Sequence, residues 1–425
     1  MTSAAIPVLH AWAASLPEKW QSDWLKWNVA LSTARPREQD VERLPYISNE
    51  DIESWTGKLL NQDPKPVEAD SRLFKKNDVL FNKLRPYLAK VYHAKFDGLS
   101  SGELLCLRPS AKVYPRYLFY LVSSKGFVDA VNAETFGSKM PRADWGIVGH
   151  APLPLPPKEI QERIAGFLDA KTTQIDALIS KKQALLECLA EKRQAIITQA
   201  VTKGLDPTAP MKDSGIDWLG QIPAHWEVKR LKFFTDGLLK YGANAPADWD
   251  DPNWPRFIRI TDVDASGKLN DETFRSLPPD IADPYLLAEG DILLARSGAT
   301  VGKSFIFQPE WGKCCYAGYL IKASISSSHD AHFIYLFLNS SSFWSWVAAN
   351  FIQSTIQNIN ADKYANLRVP CPPKEEQRSI ASYVAQAIAR LEKQEKAVTQ
   401  SVATLHEYRS ALITAAVTGQ IQGLQ

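Results

Sequence analysis

The strongest constraint on this chain is that it is written twice. Pro154-Leu155-Pro156-Pro157-Lys158-Glu159-Ile160-Gln161 returns 216 residues later as Pro370-Cys371-Pro372-Pro373-Lys374-Glu375-Glu376-Gln377, and the match runs without a gap for nearly fifty positions. Ile164-Ala165 matches Ile380-Ala381, and Arg193, Ile197, Ala200 and Val201 match Arg409, Ile413, Ala416 and Val417. Self-similarity at a fixed period decides the architecture before any local signal does. Ahead of these stretches the repeat is fainter. Leu16-Pro17 with Trp20 resembles Ile222-Pro223 with Trp226 at an offset of 206, and Asn77-Asp78-Val79-Leu80 resembles Gly290-Asp291-Ile292-Leu293 at 213. The drifting offset records insertions and deletions. Each copy is thus about 150 divergent residues followed by about 50 similar ones.

The similar stretch reads as one long helix. Prolines suit its extended lead-in and first turn, and Glu159 and Glu162 sit near the positive end of its dipole. Val384, Leu391, Val398, Leu405 and Leu412 recur every seven residues, and Leu168, Ile175, Lys182, Leu189 and Ile196 hold the same register in the first copy. A sustained heptad argues for a coiled coil. Ile164, Leu178 and Leu185 supply a companion stripe, while Lys182, Gln394 and Ser401 weaken the seam. At 1.5 Å per residue the helix is a rod on the order of 65 Å long. Gly204 and Gly419 end the two rods. A unit–helix–unit–helix order lets the rods pair antiparallel and places one globular unit at each end. The rival is a separate docking of each helix on its own unit.

The divergent stretches are mixed. Asp78–Leu84, Gly102–Arg108, Phe257–Thr261, Asp291–Ala295 and Leu320–Ser324 have the length and boundaries of strands. Pro115–Ala133 and Ala331–Asn350 read as helices whose Tyr117, Tyr120, Phe333, Phe337 and Trp344 belong to a buried face. With 45% hydrophobic and 23% charged residues the chain has the composition of a folded protein. No apolar run approaches the ~20 residues a membrane helix needs, so a cytoplasmic location is expected. Five cysteines make no disulfide framework or metal pattern.

No catalytic motif stands out. Gly298-Ala299-Thr300-Val301-Gly302-Lys303-Ser304 has three residues between its glycines where a phosphate loop has four, so it reads as a tight turn exposing Arg296 and Lys303. Asp217 with Glu227-Val228-Lys229 resembles a nuclease cluster only by chance spacing. Asp283-Pro284-Tyr285 lacks a proline of the aminomethyltransferase pattern and has no cofactor loop beside it. The seven histidines show no metal spacing. A binding or organising protein is the better expectation.

At this point the residues suggest a family. Pro154–Ala165, Ile175-Asp176-Ala177-Leu178-Ile179, Glu191-Lys192-Arg193-Gln194-Ala195 and Ala200-Val201-Thr202-Lys203-Gly204 resemble the conserved helix of Type I restriction-modification specificity subunits. Asp213-Ser214-Gly215-Ile216-Asp217-Trp218-Leu219-Gly220 with Ile222-Pro223-Ala224-His225-Trp226 resembles the segment opening that family's second recognition domain. The resemblance spans the chain. It implies an α+β fold: two mixed α/β target-recognition domains separated by two long helices that form an antiparallel coiled coil, with a pseudo-two-fold repeat. The segments would be 1–151, a first recognition domain; 152–204, the central helical region; 205–368, a second recognition domain with 205–225 as linker and lead-in; and 369–425, the distal helical region.

The resemblance further implies a non-catalytic DNA-specificity subunit. Each recognition domain would read one half of a split site in double-stranded DNA, and the helices would fix the gap and dock two methyltransferase subunits. Motor-nuclease subunits would join through that core. S-adenosylmethionine, ATP and Mg would belong to those partners and no cofactor to this chain. A coiled-coil scaffold with two protein-binding heads is the alternative.

Charge tests the DNA reading. The overall net charge of +2 divides into +3 for 1–151, +2 for 152–204, −4 for 205–368 and +1 for 369–425. An acidic second domain suits DNA only if Asp248, Asp250, Asp251, Asp262 and Asp264 face away from the groove, with partners supplying much of the phosphate affinity. Arg and Lys suit guanine, and Asn and Gln suit adenine. The base-contact candidates are therefore Lys83, Arg85, Lys139 and Arg142 in the first domain, and Arg296, Lys303, Gln357, Asn358, Asn360 and Lys363 in the second. The segments 137–144 and 354–363 stand in equivalent places before the two proline lead-ins. Leu168, Ile175, Leu189, Ile196, Val384, Leu391, Val398, Leu405 and Leu412 are the helix-pairing candidates.

Overall fold

A computed structural model describes residues 12–13, 15–60, 66–135, 139–264, 267–351 (backbone only at 351) and 358–425. Two helices dominate the chain, Lys158–Lys203 and Lys374–Val417. Two compact units divide it, one made of 1–183 with 399–425 and the other of 184–398. The cuts fall in the middle of both long helices. Each unit therefore holds the N-terminal half of one helix and the C-terminal half of the other.

That exchange is visible in the cores. In the first unit Ile164 and Leu168 of the first helix share a cluster with Ile413, Ala416 and Val417 of the second. In the second unit Ile380 and Val384 share one with Ile197, Ala200 and Val201. The two sets are the same residues of the repeat with the copies swapped. Within each unit the helix segments run antiparallel, since Leu168 lies by Val417 whereas Asp176, further along, bonds Arg409. Burial of apolar side chains on both sides of the seam is what holds the pair.

The seam differs from the sequence expectation in one respect. Leu168, Ile175, Leu189, Val384 and Leu391 are buried, and Ile196, Val398, Leu405 and Leu412 are half-buried. The companion row, however, lies four residues after these positions rather than three. Thr172, Ile179, Leu186 and Arg193 fill it in the first helix, and Ile388, Glu395, Val402 and Arg409 in the second. Leu178 and Leu185 are 44% and 45% exposed, and Gln394 is exposed. Alternating steps of four and three keep a row on one face of an α-helix, and the polar residues in that row hid it from a count of apolar positions.

Each unit carries an antiparallel four-stranded sheet with equivalent order. In the first it runs Val29–Ser32, Leu104–Pro109, Val79–Asn82, Val91–His93, and in the second Lys240–Tyr241, Leu320–Ser324, Asp291–Ala295, Ser304–Ile306. The central strands, Val79–Asn82 and Asp291–Ala295, are buried along their length. Both start from a turn with positive φ, at Asn77 and Gly290. A buried aspartate fixes each turn. Asp78 accepts from Lys75 N and pairs with Arg108 at 2.7 Å, and Asp291 accepts from Ala288 N and pairs with Lys322 at 3.2 Å.

The helices expected over 115–133 and 331–350 are each broken in two. Pro115–Ser123 stops before Lys125–Ala133, and Ala331–Phe337 before Ser341–Phe351. A serine causes each break. Ser124 and Ser340 donate back to the carbonyls of Leu121 and Phe337 and accept from the amides of Phe127 and Phe343, so each closes one helix and caps the next. The aromatic face is core as expected, except that Trp344 is 39% exposed.

A glutamine in the first turn of each long helix ties it to its unit. Gln161 donates to the carbonyls of Pro156 and Lys112 and accepts from Tyr114 N. Its counterpart Gln377 donates to Pro372 O and accepts from Asp330 N. Both are fully buried. Among the described residues no helix is long and apolar enough to cross a membrane.

Candidate nucleic-acid interface

The base-contact candidates gather on one kind of loop, built twice. In the first unit the chain leaves the central strand at Lys83. Its N–H donates to Glu103 O at 3.0 Å and its carbonyl accepts from Ala143 N at 2.9 Å. Leu84 then bridges to Arg142. In the second unit the chain leaves the central strand at Arg296. Its N–H donates to Tyr319 O at 3.1 Å and its carbonyl accepts from Ile359 N at 2.9 Å, and Ser297 bridges to Asn358. The partners correspond at the repeat offsets, so two unlike sequences share one backbone clamp.

The side chains on these clamps differ. In the first unit Lys83, Arg85 and Arg142 come together. Arg85 stands in the left-handed region at φ 52°, its N–H donating to Pro141 O at 2.8 Å, and its Nε is buried without a hydrogen-bond partner among the described residues. Arg142 is exposed and pairs with Glu103 at 2.7 Å. Lys139 is exposed further along the same segment.

In the second unit Asn358 lies opposite Ser297, next to Arg296 on the clamp, and Lys303, exposed, returns beside Ala295 just before the neighbouring strand. Asn360 is spent on structure, its Oδ1 accepting from Lys363 N at 2.8 Å to cap the helix Ala361–Ala365. Lys363 itself is exposed. Gln357 lies outside the described residues.

Arg296 is half-buried, not exposed as the sequence suggested. Tyr364, whose phenol burial pushes up, donates from its hydroxyl to Ala295 O at 2.7 Å and holds the loop from below. The Arg296 guanidinium lies 5.1 Å from the ring centre of Tyr241, whose hydroxyl accepts from Ala361 N at 3.0 Å. Arg296 Nε is buried with no hydrogen-bond partner among the described residues. Tyr319, 67% exposed, flanks it. Sequence reasoning missed Tyr241 because only the sheet brings it near Arg296. Tyr319 was reachable as the repeat counterpart of Glu103.

Of the five aspartates named above, Asp262 is paired with a cation, Asp251 and Asp264 accept from backbone amides, and two are exposed. Asp262 is buried and bonded twice by Arg259, at 2.8 and 3.0 Å, and Asp271 pairs with Arg256. Asp251 accepts from Asn253 N and Asp264 from Lys268 N. Asp248 and Asp250 are exposed. Among the described residues no three His, Cys, Asp or Glu side chains gather as a metal site.

Comparisons with known proteins identify the family. Residues 31–187 and 248–400 match the family described as Type I restriction modification DNA specificity domain. The specificity subunit of Type I restriction enzyme MjaVIII from Methanocaldococcus jannaschii is 25% identical over 383 residues, covering 86% of this chain and 85% of the relative. That of EcoKI from Escherichia coli is 22% identical over 439 residues, covering 96% and 90%. A solved structure described as the basis of assembly and conformational transition of the type I R-M system covers 96% of this chain and 100% of its own, with a TM-score of 0.77 at 20% identity. The HsdS subunit of Thermoanaerobacter tengcongensis gives 0.56 at 18% identity, covering 96% and 98%. With both copies matched, the chain belongs to the Type I restriction-modification DNA specificity family, as a specificity subunit with two recognition domains.

Proposed function

We propose that each compact unit reads one half of a bipartite target in double-stranded DNA through its clamped loop. One observation carries this reading: the same backbone clamp presents Lys83, Arg85 and Arg142 in one unit and Arg296 and Asn358 in the other. A shared frame with different donors is what two different half-sites require. The paired helices set the gap and dock two methyltransferase subunits, whose matching surfaces a doubled chain would present twice. Motor-nuclease subunits join through that methyltransferase core, and the complex works in the cytoplasm. This chain binds no cofactor. S-adenosylmethionine serves the methyltransferase, and ATP and Mg the motor.

Methylome sequencing of a host expressing the chain with its methyltransferase tests this. A bipartite modified motif is expected, and its absence would favour a coiled-coil scaffold with two protein-binding heads. Lengthening the helices by one heptad within Ala184–Glu191, matched near Val398, is expected to widen the gap and leave both half-sites intact.

A further inference from the structure

We propose that Arg296 reads a guanine in the second unit's half-site and that Tyr241 is its positioning residue. This rests on the reading of the units as DNA-recognition domains. Arg108, Arg116, Arg142, Arg256, Arg259 and Arg409 each end on a carboxylate. Arg296, like Arg85 at the equivalent loop of the first unit, makes no ion pair among the described residues and has its Nε buried without a partner; unlike Arg85, it also has an aromatic ring against its guanidinium.

An unmet buried donor costs free energy unless something arrives to meet it. The surroundings nevertheless fix the side chain. Its backbone is bonded on both sides, to Tyr319 O and from Ile359 N, and the carbonyl before it takes the Tyr364 hydroxyl. The Tyr241 ring lies 5.1 Å from the guanidinium, near enough for a cation–π contact. Tyr241 is itself anchored by the amide of Ala361. A guanidinium held in place with its donors unspent fits the O6 and N7 acceptors on the guanine edge, a bidentate pair in the major groove.

The experiment uses the full chain with its methyltransferase and sequences methylated sites selected from a randomised duplex library. The wild-type complex is expected to require guanine at one position of one half-site. Arg296→Ala should lower the preference there by about ten-fold or more, leaving the other half-site and the gap unchanged. Arg296→Gln should shift it toward adenine, because glutamine pairs with the adenine edge. Tyr241→Ala should weaken the same position, and Tyr241→Phe, which keeps the ring, should restore most of it.

A wild-type complex with no bipartite motif would sink the reading of the units as recognition domains. A bipartite motif without guanine in either half overturns the Arg296 assignment alone. So does a guanine preference that survives Arg296→Gln, the variant to compare if Arg296→Ala abolishes all methylation. An Arg296 effect without a Tyr241→Ala effect overturns the positioning role.

Discussion

Arg409 Nε donates to Asp176 Oδ1 at 2.8 Å across the helix pair of the first unit. The repeat offset turns Arg409 into Arg193 and Asp176 into Glu392, and that pair meets in the second unit at 3.5 Å. One contact has been inherited twice with the copies exchanged, but its surroundings differ. The first pair is 9% and 18% exposed and Arg409 also donates to Trp55 O, whereas the second is 33% and 51% exposed.

Arg409→Leu is therefore expected to cost about 2 kcal/mol, since it takes the donor from the Trp55 carbonyl and leaves Asp176 with only the exposed Lys58 at 3.5 Å. Arg193→Leu should cost less than about 1 kcal/mol, as for an exposed pair. Urea titration of each variant measures both. Equal losses would show that the asymmetry of burial does not govern the two bridges.

Gln161→Ala should destabilise the first unit by about 2 kcal/mol, because three backbone groups lose their partner together and one of them, Pro156 O, is buried. Hydrogen exchange locates the damage: the Tyr114 amide should lose protection, while the equivalent amide of Asp330 keeps it. A mutant in which Tyr114 stays protected argues against the clip.

Gly419 has φ 71°, and a Cβ there would stand 2.5 Å from Pro17 Cγ. Gly215 has φ 70° and open space around it. Alanine at 215 should cost only the left-handed backbone, about 1–2 kcal/mol. At 419 it must also push the helix end off Pro17 and Trp20, so its melting temperature should drop clearly further. Matching drops would mean that the contact with Pro17 yields freely.

Burial, reinforced by the Lys95 and Arg116 cations, lowers the His93 imidazole from 6.5 to about 4. The unfolded chain takes up this proton as pH falls through 6.5, and the folded chain does so only near 4. Stability is then full above about pH 7 and declines as pH drops from 6.5 to 4, by at most about 1.4 kcal/mol per pH unit from this group. Urea midpoints between pH 7 and 4.5 test it, and His93→Phe should flatten the decline. An unchanged slope in that variant would assign the dependence to other groups.

The helices and their antiparallel pairing were legible from the gapless 216-residue match and its apolar periodicity, a local signal that packing does not override, whereas the sharing of each helix between both units appears only in the cores. The companion row was misread because Arg193, Glu395 and Arg409 look like surface residues until a partner helix is present. The recognition loops were legible only as positions. Lys83 and Arg296 could be picked as donors, but the αL backbone of Arg85, the capping duty of Asn360 and the ring of Tyr241 under Arg296 depend on contacts between residues far apart in sequence.

Both cores borrow from both helices, and this bears on which copying errors the chain can absorb. A residue added to one helix alone would slip the seam and drag a helix end out of the neighbouring core, at Gly204 against Trp226 or at Gly419 against Trp20. A residue added to a surface loop moves neither core. Length changes should therefore accumulate in the loops and be refused in the helices. The chain's own two copies bear that mark, with offsets that wander through 206 and 213 along the divergent stretches and then hold at 216 through the helices.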